Sequence, residues 1–332
     1  QVGALVKAIS LISGGLDSIL AAKLLLEQDI EVEALTLNFP FMPSKNPLDA
    51  ALSACRDLKI KSRVLDLNKS TSYLRIIESP KFGYGKNLNP CVDCHAFMLK
   101  EAKKIMIEDG ASFIITGDVL GERPMSQMKN TLLLIDKEAS VEGLVLRPLS
   151  AKLLAETVPE REGWVIREKL FDINGRSRKR QFEMAKRMKI KKYQTPGGGC
   201  LLTDGQFCQK VKDLIAHKQF DFYNAKLLKA GRHFRLDKFT KLIVGRDKED
   251  NELIEELRAE ASILLKLRDV PGPTALLNKE AAADLQNLAA GILSAYTKSK
   301  GPVSVSLLIP GTGIKIIEVM PLKKEDVRKL ML

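Results

Sequence analysis

The sequence has 332 residues, which is enough for two domains with separate hydrophobic cores. Hydrophobic residues make up 45% and charged residues 28%, as in ordinary globular proteins, and no apolar run reaches the roughly 20 residues of a membrane-spanning helix, which excludes that class of protein. The formal net charge of +12 favours a polyanionic partner such as nucleic acid.

Short apolar strands alternate with helical segments through the first half of the chain. This alternation predicts βαβ units and therefore an α/β fold, with a mainly parallel sheet and helices on both faces. In such a sheet the ligand lies at the carboxyl ends of the strands. The strands are predicted at residues 5–12, 32–39, 61–67, 111–118 and 144–149, and the helices at 17–28, at 48–58 and from Pro90 onward.

The pattern changes in the last third of the chain. Residues 150–200 form a basic helical segment that completes a first domain, predicted at residues 1–205. A smaller α+β domain is predicted at residues 206–332. Its strand-like stretches lie within 231–257 and at 302–309, and its Ala- and Leu-rich helix lies at 279–298.

The segment SGGLDS at residues 13–18 follows the first strand and opens the first helix. Unbonded amide groups and the positive dipole end of a helix N-terminus bind phosphate, and glycines let the backbone approach the ligand. The hydroxyls of Ser13 and Ser18 can donate to phosphate oxygens, and Asp17 can hold a magnesium ion on the phosphates. The spacing fits neither the dinucleotide-binding nor the Walker glycine pattern.

SGGLDS resembles the PP-loop of the ATP pyrophosphatase superfamily, whose usual form is S-G-G-x-D-S. The resemblance implies a PP-loop fold of the HUP type, and cleavage of ATP between its α and β phosphates with adenylation of a substrate oxygen. Thr116-Gly117-Asp118 resembles the superfamily's second nucleotide-binding turn. The residues implied in ATP binding are Ser13, Gly14, Gly15, Leu16, Asp17, Ser18, Thr116, Gly117 and Asp118.

The five cysteines are Cys55, Cys91, Cys94, Cys200 and Cys208. An odd number argues against a disulfide framework and favours metal or redox chemistry. Cys91 and Cys94 form a C-x₂-C pair at a helix start, where the dipole lowers a thiol pKa, and three glycines precede Cys200. With His95 as a fourth ligand the set can bind zinc, whereas three thiolates alone suit a [4Fe–4S] cluster. The other two cysteines are predicted to be packing residues.

The three-cysteine pattern resembles the thiolating branch of the superfamily, the 2-thiouridine and 4-thiouridine synthetases. Those enzymes use either two cysteines with a persulfide or three cysteines around a [4Fe–4S] cluster. Cys91, Cys94 and Cys200 fit the second arrangement better, so the resemblance implies that they are metal ligands.

Residues 116–127 and 146–158 also resemble segments of these synthetases. Within the first segment, Arg123, Ser126 and Gln127 can reach substrate or phosphate. The methionines beside them can equally place the same stretch in the core.

A strongly basic segment ends the first domain. Residues 176–192 contain nine Lys or Arg residues and a single Glu, which favours phosphate-backbone binding over an ordinary solvated helix face. KLIVGRDKEDNELI, at 241–254, resembles the RNA-binding domain of the NFACT proteins, and GRHFRL at 231–236 mixes cations with an aromatic ring, which suits RNA better than a plain solvated hairpin. The residues predicted to bind RNA are Arg176, Arg178, Lys179, Arg180, Arg187, Lys191, Lys192, Arg232 and Arg235.

The resemblances together imply an ATP-dependent tRNA sulfurtransferase. A uridine carbonyl oxygen attacks the α-phosphate of ATP, and sulfur held at the cysteine site then displaces AMP. The implied cofactors are ATP, Mg²⁺ and a [4Fe–4S] cluster, with zinc, or a cysteine persulfide without metal, as alternatives. The implied catalytic residues are Asp17, Cys91, Cys94 and Cys200.

The implied partners are tRNA and a sulfur donor, which is a cysteine desulfurase, a sulfur carrier or free sulfide. A homodimer is left open. No signal-peptide pattern opens the sequence, so the cytoplasm is the expected location. Two other functions stay open: a PP-loop amide-forming ligase with structural zinc, and a non-catalytic RNA-binding factor that senses nucleotide.

Overall fold

The computed structural model describes residues 6–42, 48–68, 70–194, 200–259, 262–278 and 280–332. The chain divides into two compact units, residues 1–203 and 204–332, and each unit has its own hydrophobic core. No helix within these described ranges combines the length and the apolar character needed to cross a membrane.

The first unit contains a five-stranded parallel sheet in the order β3-β2-β1-β4-β5. Its central strands are apolar and buried on both faces, as parallel sheets require. Because β1 and β4 are parallel neighbours, their carboxyl ends lie side by side. The strands are β1 (Lys7–Leu11), β2 (Glu31–Asn38), β3 (Ser62–Asp66), β4 (Phe113–Ile115) and β5 (Val145–Leu146).

Helices cover both faces of this sheet, so the predicted fold class is confirmed. Ala8 and Ile9 are consecutive on β1 and enter the two different cores. The first core contains residues of α1, α2 and α7, and the second contains residues of α4 and α5. The helices are α1 (Leu16–Leu26), α2 (Asp49–Leu58), α3 (Thr71–Glu78), α4 (Cys91–Glu108), α5 (Lys129–Glu138), α6 (Val158–Arg161) and α7 (Lys179–Arg187).

Aromatic packing fixes the connection after β5 to the sheet. Trp164, the single tryptophan of the sequence, stacks on Phe113 of β4 with ring centroids 6.4 Å apart and an interplanar angle of 25°. Stacked rings of this kind stabilise a core beyond the area they bury. The chain from 164 to 190 therefore runs back across the face that α1 occupies, where Trp164, Met184 and Ala185 join the same core.

The second unit has a six-stranded antiparallel sheet in the order β11-β10-β8-β9-β7-β6, as predicted for a smaller α+β domain. Helix α11 packs on one face and α10 on the other. The strands are β6 (Arg232–Arg235), β7 (Lys241–Val244), β8 (Ser262–Leu267), β9 (Thr274–Asn278), β10 (Val303–Ile309) and β11 (Gly313–Val319). The helices are α8 (Gly205–Ala216), α9 (Phe222–Leu227), α10 (Lys248–Glu256), α11 (Ala283–Ser294) and α12 (Lys324–Lys329).

The elements differ from the sequence predictions in a few places. The helix predicted at 279–298 is the shorter α11, and residue 279 lies outside the described residues. Strands β8 and β9 were not predicted because short apolar runs have no periodicity that separates strand from helix. Cys55 in α2 and Cys208 in α8 are buried, as expected for packing residues.

Candidate active site

Glycine holds the loop between β1 and α1 in its conformation. Gly14 has a φ of +82° and lies against α2, where an added Cβ would come within 2.7 Å of the Ala51 nitrogen. A side chain here would therefore displace backbone as well as strain the loop. Gly15 is the N-cap of α1, so the first-turn amides, which have no acceptor inside the helix, lie at the carboxyl end of β1.

The serine hydroxyls of this loop bind the loop itself. The Ser18 hydroxyl donates to the Gly15 carbonyl oxygen at 2.8 Å, and Ser18 Oγ accepts from the Ser13 amide at 3.3 Å. The Gly15 amide donates to Ser13 Oγ at 3.3 Å. These bonds preorganise the loop, and phosphate binding by the two hydroxyls stays a prediction.

The second predicted nucleotide turn touches the first one. A Cβ added at Gly117 would lie 2.5 Å from the Ser18 nitrogen and 2.6 Å from the Asp17 carbonyl carbon. Only glycine allows the turn after β4 to approach the first turn of α1 this closely. The structure therefore brings the two segments together, as expected from neighbouring parallel strands.

Asp118 anchors this turn from the inside. Its carboxylate accepts hydrogen bonds from Thr116 Oγ1 at 2.8 Å and from Gln127 Nε2 at 2.9 Å. Burial opposes its ionisation, but His95 and Arg147 beside it hold the pKa of the carboxyl below its ordinary value. Both oxygens already have protein partners, so contact between this side chain and ATP stays a prediction.

The three polar residues predicted from segment 116–127 have different positions. Gln127 is buried, and its Oε1 also accepts from the Arg123 amide at 3.0 Å. Ser126 is fully buried, and its hydroxyl has no hydrogen-bond partner among the described residues. Arg123 is exposed. Of the three, only Arg123 is therefore accessible, and its contact with a substrate stays a prediction.

The loop at 13–18 is called the nucleotide loop below because it is predicted to bind ATP. An ion pair on it was missed by sequence analysis. Arg178 Nη2 donates to Asp17 Oδ2 at 3.0 Å, and the two side chains are only 14% and 18% exposed. Burial raises the pKa of the Asp17 carboxyl, and the Arg178 guanidinium opposes that rise. Arg178 was predicted to bind RNA. Its side chain instead contacts the nucleotide loop, because the segment that carries it packs against α1.

Buried polar atoms surround this pair. Among the described residues, Asp17 Oδ1 and Arg178 Nε have no hydrogen-bond partner. The Gln181 amide lies close enough to lower the pKa of Asp17, yet neither of its polar atoms reaches hydrogen-bond geometry. Buried polar atoms are normally paired, and a carboxylate oxygen at a phosphate loop is a donor that Mg²⁺ prefers. Asp17 therefore fits the predicted magnesium ligand.

Three of the predicted cysteines lie around one buried tyrosine. The Cys94 thiol donates to the Tyr73 hydroxyl at 3.7 Å. Burial raises the pKa of Tyr73, and Cys94, Cys200 and Cys91 raise it further, which places all three sulfurs within electrostatic reach of one hydroxyl. The C-x₂-C pair and Cys200 thus lie on the same side of the fold, near Tyr73, while their assembly into one site stays a prediction.

The expected lowering of the thiol pKa at the start of α4 is wrong. Cys91 is the first residue of α4, and Cys94 lies in its first turn. Burial raises the pKa of both thiols, and a hydrogen bond with Asn89 and the charge of Arg123 only partly offset this for Cys91. Desolvation outweighs the helix dipole here, so both groups are protonated at neutral pH in this environment.

The donor chemistry of the three cysteines fits a [4Fe–4S] cluster. Their geometry does not form a ready metal site, since the described residues contain no group of three or more His, Cys, Asp or Glu side chains that could hold a metal ion. The glycines before Cys200, at 195–199, lie outside the described residues. His95, the fourth ligand of the zinc alternative, lies beside Asp118 with its pKa lowered by burial.

Arg123 is a cation near both parts of the candidate site. Its charge lowers the pKa of the Asp17 carboxyl and also that of the Cys91 thiol. One exposed guanidinium is therefore within electrostatic reach of both the nucleotide loop and the first cysteine.

The remaining cations of the basic segment form an exposed surface. Phe182 of α7 is 45% exposed among them, whereas Met184 and Ala185 pack inward. Arg180 pairs with Asp172 at 2.8 Å, and both side chains are about half exposed. The predicted RNA-binding residues exposed on this surface are Arg176, Lys179, Arg180, Arg187, Lys191 and Lys192.

In the second unit, only part of the GRHFRL segment is accessible. Arg235 donates to both carboxylate oxygens of Asp213, at 2.9 Å and 2.6 Å, and is 12% exposed. His233 is buried and contacts the Ala230 carbonyl oxygen at 2.8 Å. Arg235 was predicted to bind RNA. Its side chain instead pairs with Asp213, a buried carboxylate of α8. Arg232 stays accessible at the edge of a cavity.

Two separate parts of the chain match known family models. Residues 3–153 match the family model described as thiamine biosynthesis protein (ThiI). This part of the chain is similar to that family, and we refer to it as the ThiI-type domain. Residues 231–331 match the model of the NFACT protein RNA binding domain. The resemblances to a PP-loop thiolation enzyme and to NFACT are thus confirmed.

Curated relatives align with the ThiI-type domain. A probable tRNA sulfurtransferase of Thermoanaerobacter pseudethanolicus is 32% identical over 150 residues, covering 43% of this chain and 36% of the relative. One of Ureaplasma urealyticum is 26% identical over 143 residues, again 43% and 36%. The chain thus spans little more than a third of these relatives. A solved 4-thiouridine synthetase in complex with RNA and ATP is 19% identical, with a TM-score of 0.40, over 68% of this chain and 54% of that one.

The ThiI-type domain contains the nucleotide loop, the turn at 116–118 and the C-x₂-C pair. Arg178 and Cys200 lie beyond its last matched residue. Part of the candidate site is therefore supplied by the segment between the two matched domains.

Proposed function

We propose that this chain is an ATP-dependent tRNA sulfurtransferase. The observation that carries the proposal is that one compact unit holds the SGGLDS loop, with Asp17 paired to Arg178, and three cysteines near Tyr73. The ThiI-type domain and the names of the relatives that align with it support the same activity.

The first half-reaction activates a uridine. Its carbonyl oxygen attacks the α-phosphate of ATP, and pyrophosphate leaves with the electrons of the broken bond. The loop at 13–18 and the turn at 116–118 hold the nucleotide. A magnesium ion on Asp17 would neutralise phosphate charge, and Arg178 stabilises the charge that grows on pyrophosphate in a low-dielectric site.

The second half-reaction delivers sulfur. Sulfur held by Cys91, Cys94 and Cys200 attacks the activated carbon and displaces AMP, leaving a thiocarbonyl. The three cysteines are partly exposed beside the buried Tyr73, so an incoming uridine can reach the sulfur. If a [4Fe–4S] cluster were present, these three cysteines would be its ligands and it would supply sulfide for the transfer. Without a cluster, a persulfide on one cysteine transfers its outer sulfur, and a second thiol closes a disulfide.

Binding of tRNA is assigned to two basic regions. The first is the exposed cationic surface of segment 176–192. The second is the NFACT-type domain at 231–331. Cations on a surface bind the phosphate backbone without regard to sequence, so these regions supply affinity while the site selects the uridine.

Nucleoside mass spectrometry of tRNA from a deletion strain tests the proposal. We expect one thionucleoside to disappear and to return with the wild-type chain, but not with Asp17→Asn or Cys91→Ser. Cys55→Ser, which changes a cysteine buried away from Tyr73, is the matched control and should restore it. If the deletion strain keeps every thionucleoside, the proposal is wrong.

Anaerobic purification separates the two sulfur chemistries. Iron and acid-labile sulfide that disappear in Cys94→Ser would support the cluster. A metal-free chain whose trypsin digest shows an extra sulfur on Cys91, Cys94 or Cys200 would support the persulfide.

A further inference from the structure

A cavity in the second unit lies outside the site described above. It has a volume of about 390 Å³ and is formed by β6, the chain just after α11, and α12. Its walls include three cations, one aromatic ring and apolar side chains: Arg232, Lys324, Arg328, Tyr296, Val327 and Met331. A cavity of this size with both polar and apolar walls is typical of a small-molecule or nucleotide subsite.

The cations of this cavity pair with no carboxylate of the described residues. Within the described part of the chain, neither Arg232, Lys324 nor Arg328 takes part in an ion pair, whereas Lys329 next to them pairs with Asp326 at 2.8 Å. Burial raises the pKa of the Tyr296 hydroxyl, while Arg232 and Arg328 lower it, so both guanidinium groups lie near the ring. The cavity therefore has a positive potential that an anionic group would neutralise.

Contacts within the unit hold one side of the cavity in place, whereas Lys324 and Arg328 on α12 are exposed. The Arg232 guanidinium lies 4.6 Å from the centre of the Tyr296 ring and donates to the Gly245 carbonyl oxygen at 3.3 Å. Val327 is 3% exposed and belongs to the core of the second unit. The Thr297 hydroxyl donates to the Ser294 carbonyl oxygen at 2.8 Å, which fixes the turn that carries Tyr296.

We propose that this cavity binds one nucleotide of a single-stranded RNA segment. The phosphate contacts Lys324 and Arg328, and the base contacts Tyr296 and the apolar wall. Bases in a duplex are stacked and cannot enter, whereas unpaired bases can be splayed out onto aromatic rings. The inference rests on the proposed function, because the RNA is then an unpaired part of the tRNA.

Binding of short RNA to the full chain tests the proposal. A fluorescently labelled oligouridine of about 12 nucleotides is titrated at several salt concentrations against wild type, Lys324→Gln, Arg328→Gln and Tyr296→Leu. We expect each variant to weaken binding several-fold. Each lost cation should also reduce the slope of log affinity against log salt by about 0.7, while Tyr296→Leu should leave that slope unchanged.

Two exposed cations of the same unit serve as controls, Lys238→Gln and Arg268→Gln, which do not line the cavity. Equal losses in the controls and the cavity variants would overturn the proposal. So would equal losses for a duplex of the same length, or competition by free uridine monophosphate as strong as by the oligonucleotide. Lys324→Arg keeps the charge and should bind like wild type if the chain folds normally.

The outcomes separate this proposal from the proposed function. Normal oligonucleotide binding by the cavity variants, with a thionucleoside that depends on the chain, would refute the cavity alone. Weakened binding by these variants, with all thionucleosides intact in the deletion strain, would refute the sulfurtransferase and leave the cavity standing.

Discussion

Asp17 and Arg178 pair across 161 positions of the chain. Partial burial favours the neutral form of a carboxylate and makes an unpaired arginine costly, so each side chain stabilises the charged form of the other. The pair thereby favours a charged carboxylate at the start of α1.

Arg178→Gln should weaken ATP binding and slow pyrophosphate release. The loss of one charge-assisted hydrogen bond in a buried site is about 1.5–3 kcal/mol, which is roughly a 10- to 150-fold effect. Equilibrium binding of ATP and pyrophosphate release with saturating tRNA measure it. Lys179→Gln removes an adjacent exposed cation and is the matched control. Equal ATP affinity in both variants would contradict the assigned role of Arg178.

Gly117→Ala should disrupt the nucleotide site. The new Cβ would lie 2.5 Å from the Ser18 nitrogen, so either the turn or α1 must move. We expect loss of ATP binding and a lower melting temperature. Gly205→Ala, where the added Cβ meets no atom within 4 Å, should leave both unchanged. Differential scanning calorimetry and ATP titration make the comparison.

At the scale of elements, α7 has two different sides. Its buried side packs on α1, and the segment around it holds Arg178 at Asp17 and Gln194 at Gly14, whose carbonyl oxygen accepts from the Gln194 amide at 2.9 Å. Its exposed side carries cations. One short segment therefore contributes to the nucleotide loop and to the proposed RNA surface.

Arg187→Gln and Lys191→Gln should weaken tRNA binding and leave ATP affinity unchanged. Arg178→Gln, in contrast, should weaken ATP binding. Each lost phosphate contact should reduce the slope of log affinity against log salt by about 0.9. This value holds for duplex DNA and is used here for the duplex regions of tRNA. Filter binding of tRNA over a range of salt concentrations measures this. A variant that binds tRNA with the wild-type slope does not contact phosphate.

The sequence predicts those positions that follow from the order of strands and helices. The order of strands and helices predicts a parallel sheet, and parallel neighbours bring the loop at 13–18 and the turn at 116–118 to one edge. Residue chemistry also suggested that Cys200 joins the C-x₂-C pair, and this grouping stays a prediction.

Side-chain partners could not be predicted in the same way. All cations of a basic run look alike in a sequence. In the structure, however, Arg178 pairs with Asp17 and Arg235 pairs with Asp213, so both are largely inaccessible. The thiol pKa prediction failed because burial depends on packing around Tyr73, which no local pattern records.

At the scale of the molecule, the second unit contains a lysine whose pKa is lowered by burial. Burial, with the nearby charge of Arg246, lowers the pKa of Lys210 to about 8. Between about pH 8 and 10.5 the unfolded chain keeps a proton that the folded chain has lost, so this group makes stability rise with pH.

Lys210→Met should therefore gain less stability than wild type between about pH 8 and 10, by up to ~1.4 kcal/mol per pH unit. Urea unfolding followed by far-UV circular dichroism at both pH values measures the difference. Lys212→Met, an exposed lysine on the same helix, should behave like wild type. Equal slopes in the two variants would show that Lys210 titrates as an ordinary lysine.

The stacking of Trp164 on Phe113 gives the chain a built-in optical reporter. Because the sequence has a single tryptophan and it lies in the core of the first unit, its emission follows that unit alone. Circular dichroism sums the helices and strands of both units. The difference between the two signals isolates the second unit in the intact chain, with no dye, cut or truncation.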